Sequence, residues 1–114
     1  MNKEKQYFEP AADLAAFGKI GDWQPDLAKK FFDYYNSAMG EGALTVREKS
    51  LIALAVAHTL QCPYCIDAYT TESLKQGADE EMMMEAVHVA ASMKAGITMV
   101  YSTQMMKHAQ KISM

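Results

Sequence analysis

The stretch from Thr45 to Gly77 constrains the fold more than any other part of the chain. Thr45-Val46-Arg47-Glu48 has the form of a capping box, in which the Thr hydroxyl and the Glu carboxylate reciprocally satisfy orphan N–H groups at a helix start. Apolar residues then run nearly unbroken from Leu51 to Ala57, which predicts a helix buried on most of its sides. That helix should end around Gln61. Pro63, with a fixed φ suited to a first helical turn, then opens another helix that runs to about Gln76 and is closed by Gly77. So short a corner makes the pair an antiparallel helical hairpin. The chain's two cysteines, Cys62 and Cys65, both lie at that corner.

Helical signals continue on either side. Pro10 to Ile20 carries Leu14 and Phe17 at helical spacing and ends near Gly18 and Gly21. A second helix should begin at Pro25, place Leu27, Phe31, Tyr34 and Tyr35 on one broad face, and stop at Gly40-Glu41-Gly42. Asp79 is suited to cap a fifth helix, with Glu80 and Glu81 favourably placed against its dipole. Met83, Ala86, Val87, Ala90 and Ala91 should face the core from it, with a break near Gly96. A sixth helix is expected from about Thr98 to Lys111, where Lys107, His108 and Lys111 suit a C-terminus. Strand-type alternation is absent. The expectation is one all-α domain over residues 1–114, of about six helices, since a chain of 114 residues has room for one core.

Composition excludes several function classes. The net charge is −3 with no basic stripe, which argues against a nucleic-acid partner. No apolar run approaches the roughly 20 residues that cross a bilayer. Met1-Asn2-Lys3-Glu4-Lys5 leads into mixed polar sequence rather than the apolar core of a signal peptide. A cytoplasmic protein is expected.

In a reducing cytosol, a disulfide closed over only two residues would be neither persistent nor an effective staple. His58, His88 and His108 lack the spacing that would complete a metal site with the cysteines, so neither a metal nor a cofactor is expected. Thiol redox chemistry is the reading that remains. If the second helix of the hairpin starts at Pro63, Cys62 is its N-cap and Cys65 lies in its first turn. Free N–H groups and the positive dipole end would there stabilise a thiolate. The second thiol could then resolve a sulfenic acid or a mixed disulfide.

Three further residues are candidates for this site. His58, one turn before Cys62, could act as a base for either thiol, or could simply bond a carbonyl of its own helix. Glu48 could assist in proton transfer, although the capping box already explains it. Tyr69, one turn beyond Cys65 on the same face, could donate to a thiolate or be a buried aromatic with a satisfied tip. Tyr64, between the cysteines, could shape access to them, while Asp67 and Glu72 are expected to face solvent. The methionines, ten in all, fit core or subunit-interface positions better than a metal site.

The residues from Leu44 to Gly77, with Leu-Thr-Val-Arg-Glu-Lys, Leu51-Ile-Ala-Leu-Ala-Val-Ala and Cys62-Pro-Tyr-Cys-Ile-Asp-Ala-Tyr, resemble the carboxymuconolactone decarboxylase and alkylhydroperoxidase D-like superfamily. Glu85-Ala86-Val87 and Val89-Ala90-Ala91 fit its next helix. The segment Ala57–Tyr69 also resembles peroxidase-like members associated with arsenosugar biosynthesis. The resemblance implies an all-helical fold, assembly as homotrimers or hexamers, and hydroperoxide reduction by the cysteine pair with a Glu–His proton relay. Two departures stand out. The relay His usually follows the second cysteine by four residues, where this chain has Tyr69, and the relay Glu usually precedes the first by twelve, where it has Ser50. The relay could have moved to His58 and Glu48, or another thiol reaction could have been retained.

The expected function is therefore a thiol-dependent peroxidase or disulfide reductase, acting on a small hydroperoxide or a partner disulfide through Cys62 and Cys65. Either cysteine could be the attacking one. The alternatives are a lactone decarboxylase-like lyase using His58 and Glu48, and a non-enzymatic oligomer that captures metalloids with its vicinal thiols. Many apolar helical faces on so short a chain predict self-association.

Overall fold

The structure, a computed structural model, describes residues 6–113; the reading of Met1–Lys5 lies outside them. Five α-helices follow one another: α1 (Pro10–Ala15), α2 (Pro25–Met39), α3 (Val46–Leu60), α4 (Pro63–Lys75) and α5 (Glu80–Ser113). A stretch of 3₁₀-helix, Phe17–Asp22, joins α1 to α2, which makes six helical segments and no strand among the described residues. The all-α expectation holds.

The helix ends follow from local chemistry. Proline opens α1, α2 and α4, where its missing N–H would have had no helical partner. At α3 the capping box is complete: the Glu48 N–H donates to Thr45 Oγ1 at 3.1 Å and the Thr45 N–H donates to Glu48 Oε1 at 2.9 Å. Asp79 Oδ1 accepts the Met82 N–H at 2.8 Å and so caps α5.

The corner between α3 and α4 is a Schellman motif. Gln61 adopts the left-handed conformation at φ 54°, its N–H donates to the His58 carbonyl at 3.1 Å, and the Cys62 N–H donates to the Ala57 carbonyl at 3.0 Å. The same motif ends α4. Gly77 sits at φ 87°, and the Gly77 and Ala78 N–H groups reach the Leu74 and Ser73 carbonyls at 3.1 and 2.9 Å.

The core lies where the α3–α4 hairpin packs on the first half of α5. It is built from Leu54, Ala57, Ala78, Met83 and Ala90, with Ser50 and Ser73 also fully buried. Ser50 Oγ donates to the Val46 carbonyl at 2.9 Å, whereas Ser73 Oγ has no partner among the described residues. Lysine ammonium groups tie helix ends together. Lys49 donates to the Ala38 and Gly40 carbonyls at the end of α2, and Lys94 to the Thr59 carbonyl of α3 at 3.2 Å. Helix α1 packs on α4, while α2 packs on the 3₁₀ segment and more thinly on α3.

Three expectations are corrected. There is no break near Gly96, and the fifth and sixth helices are one 34-residue helix. One glycine costs a helix only about 1 kcal/mol relative to Ala, too little to stop a helix already under way. The first region is α-helical only to Ala15 and tightens into 3₁₀ beyond it. Finally, α3 is not buried on most sides: Ser50, Leu54 and Ala57 are buried, but Ile52 and Val56 are half exposed. Among the described residues, no helix is long and apolar enough to cross a membrane.

Candidate active site at the Cys62 corner

Cys62 is both the residue that completes the α3 Schellman motif and the N-cap of α4. Its Sγ accepts the Cys65 N–H at 3.4 Å, within the range for a sulfur acceptor. Both cysteines are free and half-buried, but their surroundings push them apart. Hydrogen bonding from the Cys65 thiol, then from the Cys65 N–H and more weakly the Tyr64 N–H, lowers the Cys62 pKa from the ordinary thiol value. Burial, followed by the hydrogen bond to and charge of Cys62, pushes Cys65 up to about 11. The proton is thus held more loosely on Cys62, at a helix N-terminus, than on its neighbour Cys65.

The pair opens on a cavity of about 610 Å³. Its walls are largely aromatic: Phe17 from the 3₁₀ segment, Phe32 and Tyr35 from α2, and Tyr64 and Tyr69 from α4. Phe17 and Phe32 stack edge to face with centroids 5.1 Å apart, which holds the 3₁₀ segment against α2. Tyr35 has its pKa raised, first by burial and then by the charge of Cys65. On the outer side the Tyr64 hydroxyl donates to Asp13 Oδ2 at 2.8 Å, and its ring packs on Phe8 at 5.0 Å. Asp13 also accepts the Glu9 N–H at 3.0 Å; this bond and then that from Tyr64 lower its pKa. Tyr64 therefore fastens α1 across the mouth of α4.

The candidate residues separate cleanly. Tyr69 lines the cavity with both cysteines; His58 and Glu48 do not. The His58 Nδ1 lies 2.8 Å from the Leu54 carbonyl, so it carries the proton of that bond and the ring is held along its own helix. Glu48 is occupied by the capping box, and its pKa is lowered first by the Thr45 N–H.

A second cavity, of about 310 Å³, adjoins the first and shares Tyr35, Asn36, Ala68 and Tyr69 with it. Ser50 and Tyr69, the residues at the two departures noted above, both line it, together with Glu72. Glu72 is half-buried rather than turned to solvent, whereas Asp67 is exposed. Sequence reasoning also missed Asp13, Phe32 and Tyr35 as site residues. The 51-residue separation of Asp13 from Tyr64 leaves no local pattern to find. Among the described residues no three His, Cys, Asp or Glu side chains converge on a metal-sized space.

Comparison with known proteins places this arrangement. The model of the carboxymuconolactone decarboxylase family matches residues 25–108. The chain belongs to that family. It is 37% identical over 90 residues to a protein of Paracoccus denitrificans called uncharacterized protein 4 in cox locus, covering 79% of this chain and 81% of the relative. A protein of Cupriavidus necator is 28% identical over 88 residues, covering 77% and 78%. Among solved structures, a Methanobacterium thermoautotrophicum protein superposes with a TM-score of 0.70 at 32% identity, covering 74% of this chain and 94% of the other. The apo form of a carboxymuconolactone decarboxylase family protein from Legionella pneumophila gives 0.69 at 29% identity, covering 82% and 84%. The family match spans α2 to α5 and leaves out α1, so the Asp13–Tyr64 bond joins a segment outside the matched region to its centre.

Proposed function

We propose that this family member is a thiol-dependent oxidoreductase that reduces hydroperoxides or a partner disulfide, with Cys62 as the attacking thiol and Cys65 as the resolving one. The observation that carries this reading is the opposed setting of the two thiols at the start of α4. With a hydroperoxide, the Cys62 thiolate attacks the terminal oxygen, the O–O bond breaks, and an alcohol leaves after taking a proton. Cys62 is then a sulfenic acid. Cys65 loses its proton and attacks Cys62 sulfur; the S–S bond forms and the hydroxyl departs as water. An external dithiol restores both thiols and is itself oxidised to a disulfide. The aromatic walls favour an organic hydroperoxide, whose apolar part would fill them.

A lyase built on His58 and Glu48 finds less support, because neither side chain lines the cysteine cavity. The reading suits a reducing cytoplasm, where the dithiol state would be restored. It also includes self-association into a trimer or hexamer. The radius of gyration is 19.6 Å, against about 13 Å for a compact single chain of this length. Beyond Ala90, α5 is almost wholly exposed, with Ile97, Met99, Tyr101 and Met105 among its uncovered apolar residues.

Separate Cys62→Ser and Cys65→Ser variants, assayed with cumene hydroperoxide and dithiothreitol, test the reading. Cys62→Ser should abolish turnover, and Cys65→Ser should leave Cys62 to accumulate as a sulfenic acid trapped by dimedone. Unchanged turnover in both would refute it.

A further inference from the structure

Cys65 has to lose a proton before it can close the disulfide, and its own setting opposes that loss. The carboxylate that lines the aromatic cavity, Asp13 of α1, already accepts from the Tyr64 hydroxyl and the Glu9 N–H, and α4 supplies none to this cavity, its lining residues beyond Cys65 being Ala68 and Tyr69. The adjoining cavity does supply one. Cys65, Tyr69 and Glu72 are spaced by four and three residues, which puts them in one row along α4. Tyr69 lines both cavities, and Glu72 lines the second. Glu72 lies about 10 Å along the helix from Cys65, too far for direct transfer, and Tyr69 is the residue between them in that row.

We propose that Glu72 is the proton acceptor for Cys65, acting through the Tyr69 hydroxyl. The inference rests on the thiol reading above and deepens it. As Cys65 attacks, its proton passes to the Tyr69 oxygen while the Tyr69 proton passes on to the Glu72 carboxylate, directly or across water in the second cavity. Half-buried Glu72 then releases it to solvent. A tyrosine can do this without becoming an anion, because its hydroxyl donates and accepts at once. Tyr69 is therefore a proton conductor here and not a base, a free phenol with a pKa near 10 being a poor one at neutral pH. Glu72 is a positioning and accepting group that never touches the sulfur.

The surroundings fit this task. The titratable groups lining the second cavity are Tyr35 from α2 and Tyr69 and Glu72 from α4. Helix α3 contributes Val46 and Ser50, neither of them charged. The Ser50 hydroxyl already donates to the Val46 carbonyl, so its proton is committed. Glu72 Oε1 accepts from Gln76 Nε2 at 3.0 Å, which orients the carboxylate and leaves its other oxygen without a hydrogen bond among the described residues.

The test uses an aromatic disulfide, 5,5′-dithiobis(2-nitrobenzoate), at one equivalent per chain, so that it does not depend on peroxide chemistry. The first thiolate released reports attack by Cys62. The second reports attack by Cys65 on the mixed disulfide, in which Cys62 no longer carries charge but the burial of Cys65 remains. At pH 7, Glu72→Gln and Tyr69→Phe should each slow the second phase by about tenfold or more. Glu72 lies outside the cysteine cavity, so Glu72→Gln should leave the first phase unchanged, which also shows that this variant is folded. The double variant should be no slower than either single one, since both interrupt one path.

The pH profile separates proton transfer from a packing defect. In the wild type the second phase should vary little between pH 6.5 and 8.5. In Glu72→Gln it should rise about tenfold per pH unit, as unassisted ionisation of a buried thiol requires. Glu72→Asp should restore part of the rate. A normal first phase with an unaltered second phase in Glu72→Gln would overturn the inference alone. So would multiplicative losses in the double variant, or a loss in Tyr35→Phe with none in Tyr69→Phe. Failure of both phases in the wild type would overturn the thiol reading and this inference together.

Discussion

The α3–α4 hairpin and the outer part of α5 are both helical and both rich in apolar residues, yet they use them in opposite ways. In the hairpin the buried positions are small: Ser50, Ala57 and Ser73 at the seam, with Leu54 the one large side chain fully enclosed. Small residues let the helices approach closely, and the site gains a rigid seat. Beyond Ala90, α5 carries its large residues outward. From Ala91 to Ser113 every residue but Ser102 is exposed, and Met93, Val100 and Met106 are uncovered along with the others already named. An apolar helix projecting roughly 20 residues, or about 30 Å, beyond its core gains little from its own chain. The site is thus built within the chain, whereas the apolar surface of α5 is available for something outside it.

The comparison can be broken at either end. Ile97→Lys with Tyr101→Lys should convert the proposed assembly entirely to monomer in light scattering, while Cys62 keeps its reactivity toward an aromatic disulfide. A monomeric wild type would remove the need for a partner and make the exposed helix a feature of the isolated chain. Leu54→Ala should destabilise the fold by about 2–5 kcal/mol in urea unfolding, the usual cost of emptying a closed core site. A loss below about 1 kcal/mol would show that the seam tolerates repacking. The smallest effect sharpens the contrast. Gly96 lies in the helix interior with open space around the position a Cβ would take, so Gly96→Ala in the dissociated double variant should stabilise by about 0.5–1 kcal/mol. A destabilisation there would restore the helix break that the sequence suggested.

What was legible in the sequence was mostly local. The Thr45–Glu48 box, Pro63, Gly77 and Asp79 act through bonds to residues a few positions away, and each proved to end or begin a helix as read. Gly96 misled because a glycine is a weak stop signal unless a left-handed turn follows, as it does at Gly77 and not here. The run Leu51–Ala57 showed hydrophobicity but not what would cover it, so Ile52 and Val56 were expected inside. The cysteine corner could be read from the motif and Pro63. The far wall of its cavity could not, because Phe32, Tyr35 and Asp13 arrive from elements whose docking no short pattern encodes. Glu72 was misplaced for a related reason: polarity suggested solvent, while its row on α4 turns it toward the gap between α2 and α3.

The double role of Cys62 has a consequence for how the site moves. Its amide is held by the Ala57 carbonyl from one helix while its sulfur faces the first turn of the next. In the proposed chemistry, oxidation and reduction would proceed by rotation about side-chain bonds, with the main chain pinned on both sides. In a hydrogen-exchange experiment the Cys62 amide should be among the slowest of the corner, and it should stay slow in both redox states. The chemistry would change hands at the sulfur while the backbone beneath it kept time with the core.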